Sequence, residues 1–272
     1  MVKIQGRFAS YGKVWFDQDI PADPGVDLLF LHQRSRPLAG HSNSVFLTLV
    51  SDLTLDEQDL FSAFSRTTRY EIRRAEAKDG FRHAHIREPL LYLDGFCDFY
   101  DLFAEQKSLP GAYRRELLAL GSQGRLLLSS ALREGEALVW HAYVTVGKTV
   151  SLLHTASHYR HKSNEQRALI SRANRYLHWR DFLAFKRLGF QRLDWGGMFE
   201  DESDPACASI NNFKREFGGE PIRTYGCTIP VTARGRMFLL ARRGVGTLLD
   251  WKRSLSGSPL ATVFLVSLVV QD

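Results

Sequence analysis

Hydrophobic and polar positions change their period several times along the chain. Gly12–Ile20 (GKVWFDQDI) and Val26–Gln33 (VDLLFLHQ) are short β-rich runs, divided by the breaker stretch Pro21–Gly25. A second break at Arg36–Gly40 precedes a strand over Val45–Val50. Asp52 or Thr54 then offers a helix cap, with Asp56 and Glu57 as acidic first-turn residues. Apolar side chains at Leu60, Phe61, Phe64, Tyr70, Ile72 and Ala75 predict helix over 55–79, in two pieces, ending at Gly80. Leu91–Leu120 is again helical, interrupted by Leu109-Pro110-Gly111.

From Arg125 the period drops to that of a strand. Arg125–Arg133, Ala137–Val146 and Thr149–Ser157 are separated only by Glu134-Gly135-Glu136 and Gly147-Lys148, which predicts a three-stranded meander. Asn164–Leu188 is the longest helical stretch, with Gly189 as its stop. A strand over Phe190–Trp195 closes on Gly196-Gly197, a helix follows over about Pro205–Phe217, and a last strand runs from Glu220 to Pro230. This order predicts an α/β protein with a mixed, mostly antiparallel sheet flanked by helices.

The 272 residues hold 44% apolar, 12% aromatic and 24% charged side chains, a composition that excludes a disordered or collagenous chain. The formal charge is +6. Residues 1–90 are neutral, so the excess lies in 91–272, and 158–192 carries nine Lys/Arg against Glu165 and Asp181. Such an excess attracts a phosphorylated partner, or else marks a solvated helix face. Three distant cysteines, Cys97, Cys207 and Cys227, form neither a disulfide framework nor a zinc ribbon and fit a reducing, cytoplasmic setting. The N-terminus lacks the unbroken apolar core of a signal peptide. Ala261–Val270 is about half as long as the ~20 residues of a membrane span. It is expected as a buried strand, with peripheral membrane contact as the alternative.

Two residue patterns carry chemistry. Leu193-Asp-Trp-Gly-Gly197 ends a strand on two glycines, and Asn212-Phe-Lys-Arg-Glu-Phe-Gly-Gly219 ends a helix on two more. Upstream stand Arg69-Tyr-Glu-Ile-Arg-Arg-Ala-Glu76, Asn174–Trp179 and Phe185–Phe190. In this order the segments resemble the Fem-type aminoacyltransferases of the GNAT-like acyltransferase superfamily, over roughly residues 45–230. The resemblance implies a GNAT-like fold, usually a tandem pair. It also implies transfer of an acyl group, often from aminoacyl-tRNA, to an amine of a cell-wall precursor or a similar acceptor. The chain is shorter than a tandem pair, so residues 1–90 are expected as a truncated or degenerate first module. Residues 91–235 would be the acyltransferase domain, and 236–272 a C-terminal helix and apolar tail.

Acyl transfer to an amine needs an ordered pair of substrates and a stabiliser for the oxyanion. Gly196 and Gly197 let a ligand approach the backbone, with N–H groups available to an oxygen, or else they form a tight turn. Asp194 can orient a group or accept a proton near the strand end, or serve as a structural cap. Phe213 and Phe217 share a helix face and Lys214 adjoins it. By resemblance Lys214 stabilises charge on the reacting carbonyl or contacts the donor's terminal nucleotide. Phe213 can stack on a base, and Trp195 alternates with Asp194 along the strand.

Arg66, Arg69 and Arg73 share a helical face, and Arg73 with Arg74 offers phosphate contacts to a nucleotide-linked acceptor or tRNA, or else the face is solvated and paired with Glu76. Arg172 and Arg175 share a face with Trp179, itself expected in the core. Ser157–Arg167 holds no glycine where CoA-dependent relatives carry a pyrophosphate-binding loop, although His158 and Arg160 supply basic groups there. No metal is expected: His154 falls in a strand and HExxH is absent. The expected reaction is N-acyl transfer with no permanently bound cofactor and aminoacyl-tRNA as co-substrate. Two alternatives stand beside it: a transferase using acyl-CoA or acyl carrier protein on an amino sugar, and a non-catalytic RNA- or partner-binding protein.

Overall fold

The computed structural model describes residues 1–158 and 162–241. The C-terminal apolar run 261–270 and Arg160 lie outside the described residues. One unit comprises Met1–Thr48, Gly197–Ser209 and the described residues from Ile222 onward; the other comprises Leu49–Gly196 and Ile210–Pro221.

In the first unit, β1 (Val2–Gln5), β2 (Ser10–Trp15) and β3 (Leu28–Arg34) lie side by side with β10 (Glu220–Pro230) next to β3. β1 was not legible as a separate strand, yet it alternates strictly, with Val2 and Ile4 buried. β2 pairs with β3 in parallel, which the breaker stretch 21–25 allows by carrying the chain back across the unit; β1/β2 and β3/β10 are antiparallel. Val14, Val26, Leu29, Leu31 and Cys227 form its core.

In the second unit, β5 (Arg82–Ile86), β6 (Leu126–Arg133), β7 (Glu136–Val146) and β8 (Thr149–Ser157) are antiparallel neighbours in sequence order. The expected meander is therefore present. Its first turn places Glu134 (φ 55°) and Gly135 (φ 90°) both in the left-handed region, as a two-residue hairpin needs. β5 was missed because two histidines and an arginine dilute its apolar signal at the sheet edge. β9 (Arg192–Met198) joins β8 in parallel from Thr149↔Arg192 to Ser151↔Asp194. Both units are thus mixed and mostly antiparallel, as expected.

The helices depart from expectation mainly at their caps. α1 (Glu57–Ser62) is capped by Asp56, whose side chain accepts from the Asp59 N–H; Asp52 instead closes a turn on Thr54. α2 (Arg66–Arg74) runs into a π-turn over Ala75–Asp79 and stops at Gly80 (φ 68°). α3 (Leu93–Lys107) and α4 (Arg114–Ser122) are separated at the predicted Leu109–Gly111 break. α5 (Asn164–Arg187) begins at a Ser163/Gln166 capping box. α6 (Pro205–Arg215) leads to Gly218 and Gly219.

Alternation along β7 decides which helix meets which face. Trp140 faces Phe96 of α3 at 6.0 Å between ring centres, whereas His141 and Tyr143 face α5 and bond Asp181. α5 thus packs on one side of the meander and α3 on the other. Ala75, Phe81, Ala131, Val139, Ile170, Ala173, Tyr176 and Leu177 form a core cluster on the α5 side.

Candidate active site

Strand β9 and the end of α6 bring together most of the expected chemistry. Asp194 is 1% exposed, and its Oδ1 accepts the Gly196 N–H at 2.7 Å and the Ser151 hydroxyl at 3.3 Å. The first bond closes a turn on Gly196, whose φ of 70° suits glycine. A Cβ there would sit 3.0 Å from the Leu152 carbonyl oxygen. Gly196 is therefore needed for close backbone approach. Its N–H is engaged by Asp194, which corrects the expectation that it awaits an oxyanion. Gly197 follows in the same strand.

Lys214 keeps part of its side chain accessible, but burial draws its pKa down to about 8, opposed by the negative charge of Asp194. Beside it, Phe213 packs edge-on to Phe217 at 5.3 Å and carries the Arg175 guanidinium over its face at 5.2 Å. Arg175 also donates to Glu216 Oε2 at 2.7 Å, and Thr68 donates to the same oxygen at 2.9 Å. Arg175 is therefore fixed by Glu216, which Thr68 of α2 holds in turn, and by Ser171 Oγ at 2.6 Å, and its face is turned to Phe213.

Other expected residues fall elsewhere. Trp195 is 1% exposed, packs on Phe217 at 4.9 Å and donates its indole N–H to Ser51 Oγ at 2.9 Å. It is a core residue, not a substrate contact, because its only polar atom is already bonded within the fold. Arg73 and Arg74 are exposed in the last turn of α2, where Arg73 covers the Phe61 ring. Neither takes part in the hydrogen bonds or ring contacts that build the Lys214 cluster among the described residues. Arg69 is spent on the carbonyls of Ser62 and Phe64, and Arg172 on Asp79 at 2.6 and 3.1 Å. His158 stacks on Phe99 at 3.9 Å and shares a hydrogen bond with its carbonyl, which ties it to α3.

A buried polar network escaped the sequence reading. Asp181 on α5 is fully buried and accepts from Ser129 (2.8 Å), Tyr143 (2.7 Å), His141 Nδ1 (2.9 Å) and His83 Nε2 (2.9 Å). Burial alone would raise its pKa, but the bonds from His141 and His83 outweigh that and hold it well below the usual carboxylate range. His141 Nε2 meets Asn174 Oδ1 at 2.9 Å. The His141 ring lies 4.1 Å from that of His178, which in turn borders Trp195, Phe213 and Phe217. Two signals existed: a histidine inside the apolar run of β7, and polar residues at 174, 178 and 181 along one face of α5. Among the described residues, no cluster of His, Cys, Asp or Glu could hold a metal, and no helix is long and apolar enough to cross a membrane.

No family model and no curated protein matches the chain by sequence. Solved structures do match. FemX superposes with a TM-score of 0.54 at 13% identity, covering 71% of this chain and 63% of FemX. The C-terminal domain of a protein described as a lysylphosphatidylglycerol synthetase from Agrobacterium fabrum superposes with a TM-score of 0.51 at 12% identity, covering 78% and 71%. The chain therefore shares the fold of these two proteins, and it spans under two thirds of the length of FemX.

Proposed function

We propose that this chain is an N-acyltransferase that moves an aminoacyl group from aminoacyl-tRNA onto a primary amine of a cell-envelope precursor or similar small acceptor, in the cytoplasm. The fold supports acyl transfer in general. The observation that carries the reading is Lys214: a desolvated ammonium, countered by a buried carboxylate and flanked by a partly exposed aromatic ring. A charge in such a setting acts on a developing oxyanion more strongly than it would in water.

In this mechanism the amine attacks the ester carbonyl directly, without a covalent enzyme intermediate. Lys214 stabilises the tetrahedral oxyanion. Asp194 acts as a positioning residue that holds the β9 turn and the lysine charge. Phe213 and Arg175 form a platform for the donor's terminal base. Any peripheral membrane contact would serve the acceptor and not the chemistry.

The test is donor-resolved. Purified protein is incubated with a primary amine and, separately, with charged tRNA, acetyl-CoA and acylated carrier protein. Product from charged tRNA alone, abolished by RNase and reduced about 100-fold or more in Lys214→Ala, is the expected result. Product only from the thioester donors would replace the tRNA reading, and salt-dependent RNA binding without product from any donor would remove the enzyme.

A further inference from the structure

His178 is the least explained polar group near this site. It is 1% exposed, and neither ring nitrogen has a hydrogen-bond partner among the described residues. Buried polar groups are almost always paired, so an unpaired one points to a partner that arrives with ligand or water. Its surroundings are specific. The His141 ring lies on one side, tilted by 30° at 4.1 Å between centres, and Trp195, Phe213 and Phe217 border it at 4.7, 5.7 and 5.2 Å. The charged and titratable groups that act on it are His141, Asp181, Arg175 and Lys214. The bonds His141 makes to Asp181 and Asn174 fix that ring, so it forms a fixed wall against which His178 packs.

We infer that His178 is a catalytic residue of the proposed transferase site: it takes a proton from the attacking amine nitrogen and delivers it to the departing ester oxygen. The inference rests on the acyl-transfer reading above. In the step, the amine lone pair forms the new C–N bond and the carbonyl electrons become the oxyanion at Lys214. An N–H bond then breaks and its proton passes to a ring nitrogen of His178. The oxyanion reforms the carbonyl, the C–O ester bond breaks, and the leaving oxygen takes the proton from His178. The imidazole ends neutral, as it began.

The charges around the ring suit this cycle. Burial, with the positive neighbours Arg175 and Lys214, keeps His178 unprotonated before reaction, so its lone pair is available. When the oxyanion forms, it offsets the lysine charge and raises the basicity of the imidazole at the moment a proton must be taken. Phe213 stands at the border of the ring, and contacts to reacting atoms tighten only around bound substrate.

The experiment separates a proton carrier from a packing residue through the leaving group. His178→Phe keeps an aromatic ring against His141, and His178→Gln keeps polarity without titration. Each is assayed with a ribosyl ester, the charged tRNA, and with the p-nitrophenyl ester of the same amino acid, whose phenolate departs unprotonated from the zwitterionic intermediate before the amine proton is lost, so that neither proton transfer by His178 enters its rate-limiting attack step. Thermal unfolding checks the fold, and the Gln variant serves if the Phe variant unfolds. The expected result is a loss of about 100-fold or more with charged tRNA and a change within about threefold with the p-nitrophenyl ester. Equal loss on both esters, or none on either, overturns the role of His178. Wild-type protein that transfers from neither ester overturns the acyl-transfer reading itself.

Discussion

Asp194 opposes the loss of charge on Lys214. Burial pulls the lysine down to about 8, and the carboxylate, anchored by the Gly196 N–H, pulls in the other direction. An ammonium that stabilises an oxyanion must be protonated, so activity declines as pH rises through about 8. Asp194→Asn removes the opposing charge and lowers the lysine pKa further. The alkaline limb of the kcat/KM profile should therefore move to lower pH. A limb that stays in place would exclude Lys214 as the titrating group.

Asp181 gathers four donors from β5, β6 and β7 onto α5. Asp181→Ala would leave these donors buried and unmatched, and loss of one partner from a buried charged cluster costs about 3–5 kcal/mol. Urea unfolding at neutral pH should show a loss of that order. A change below about 1 kcal/mol would mean that water replaces the carboxylate at little cost.

Acid stability should decline in two stages. His178 is held neutral in the fold by burial, and His85 is lowered in the same direction. The unfolded chain takes up these protons below a pH of about 6.5, so stability falls as pH drops from there. Asp181 is lowered instead, so its contribution is complete above about pH 4 and is lost as pH falls below that. In His178→Phe the slope between about pH 6.5 and 5 should become shallower while the loss below about pH 4 persists. Denaturant midpoints measured across this range decide it, and an unchanged upper slope would contradict a neutral buried His178.

Gly219 has φ 98°, and a Cβ there would lie 2.8 Å from the Val50 carbonyl oxygen and 3.1 Å from Ser51 Oγ. Gly219→Ala combines a left-handed backbone with a clash against β4 (Asn43–Asp52) and should cost about 1–3 kcal/mol. Because this turn follows Lys214, transfer activity should fall as well. Wild-type melting behaviour in the variant would show that the turn relaxes freely.

Much of the fold follows from local signals. Gly135 and Gly147 mark the meander turns, Gly189 ends the long helix, and the apolar spacing from Leu60 to Ala75 sets the paired helices. β1 and β5 were harder to see, because one is only four residues long and the other carries its charge at a sheet edge. The long helix starts at Asn164 as expected, and the Ser163/Gln166 capping box is the local signal that fixes this start.

The sequence alone determined that Lys214 follows Phe213 at the end of a helix and that Asp194 precedes two glycines at the end of a strand. It could not determine their electrostatic relationship, because burial and the separation of charges are properties of the packed chain. Only tertiary structure decided that Trp195 is core, that the Gly196 N–H is occupied, and that His83, His141 and Asp181, 58 and 40 positions apart along the chain, meet at one carboxylate. Periodicity reports which face a side chain occupies, whereas hydrogen-bond partners are set by register between strands and by the helix laid across them.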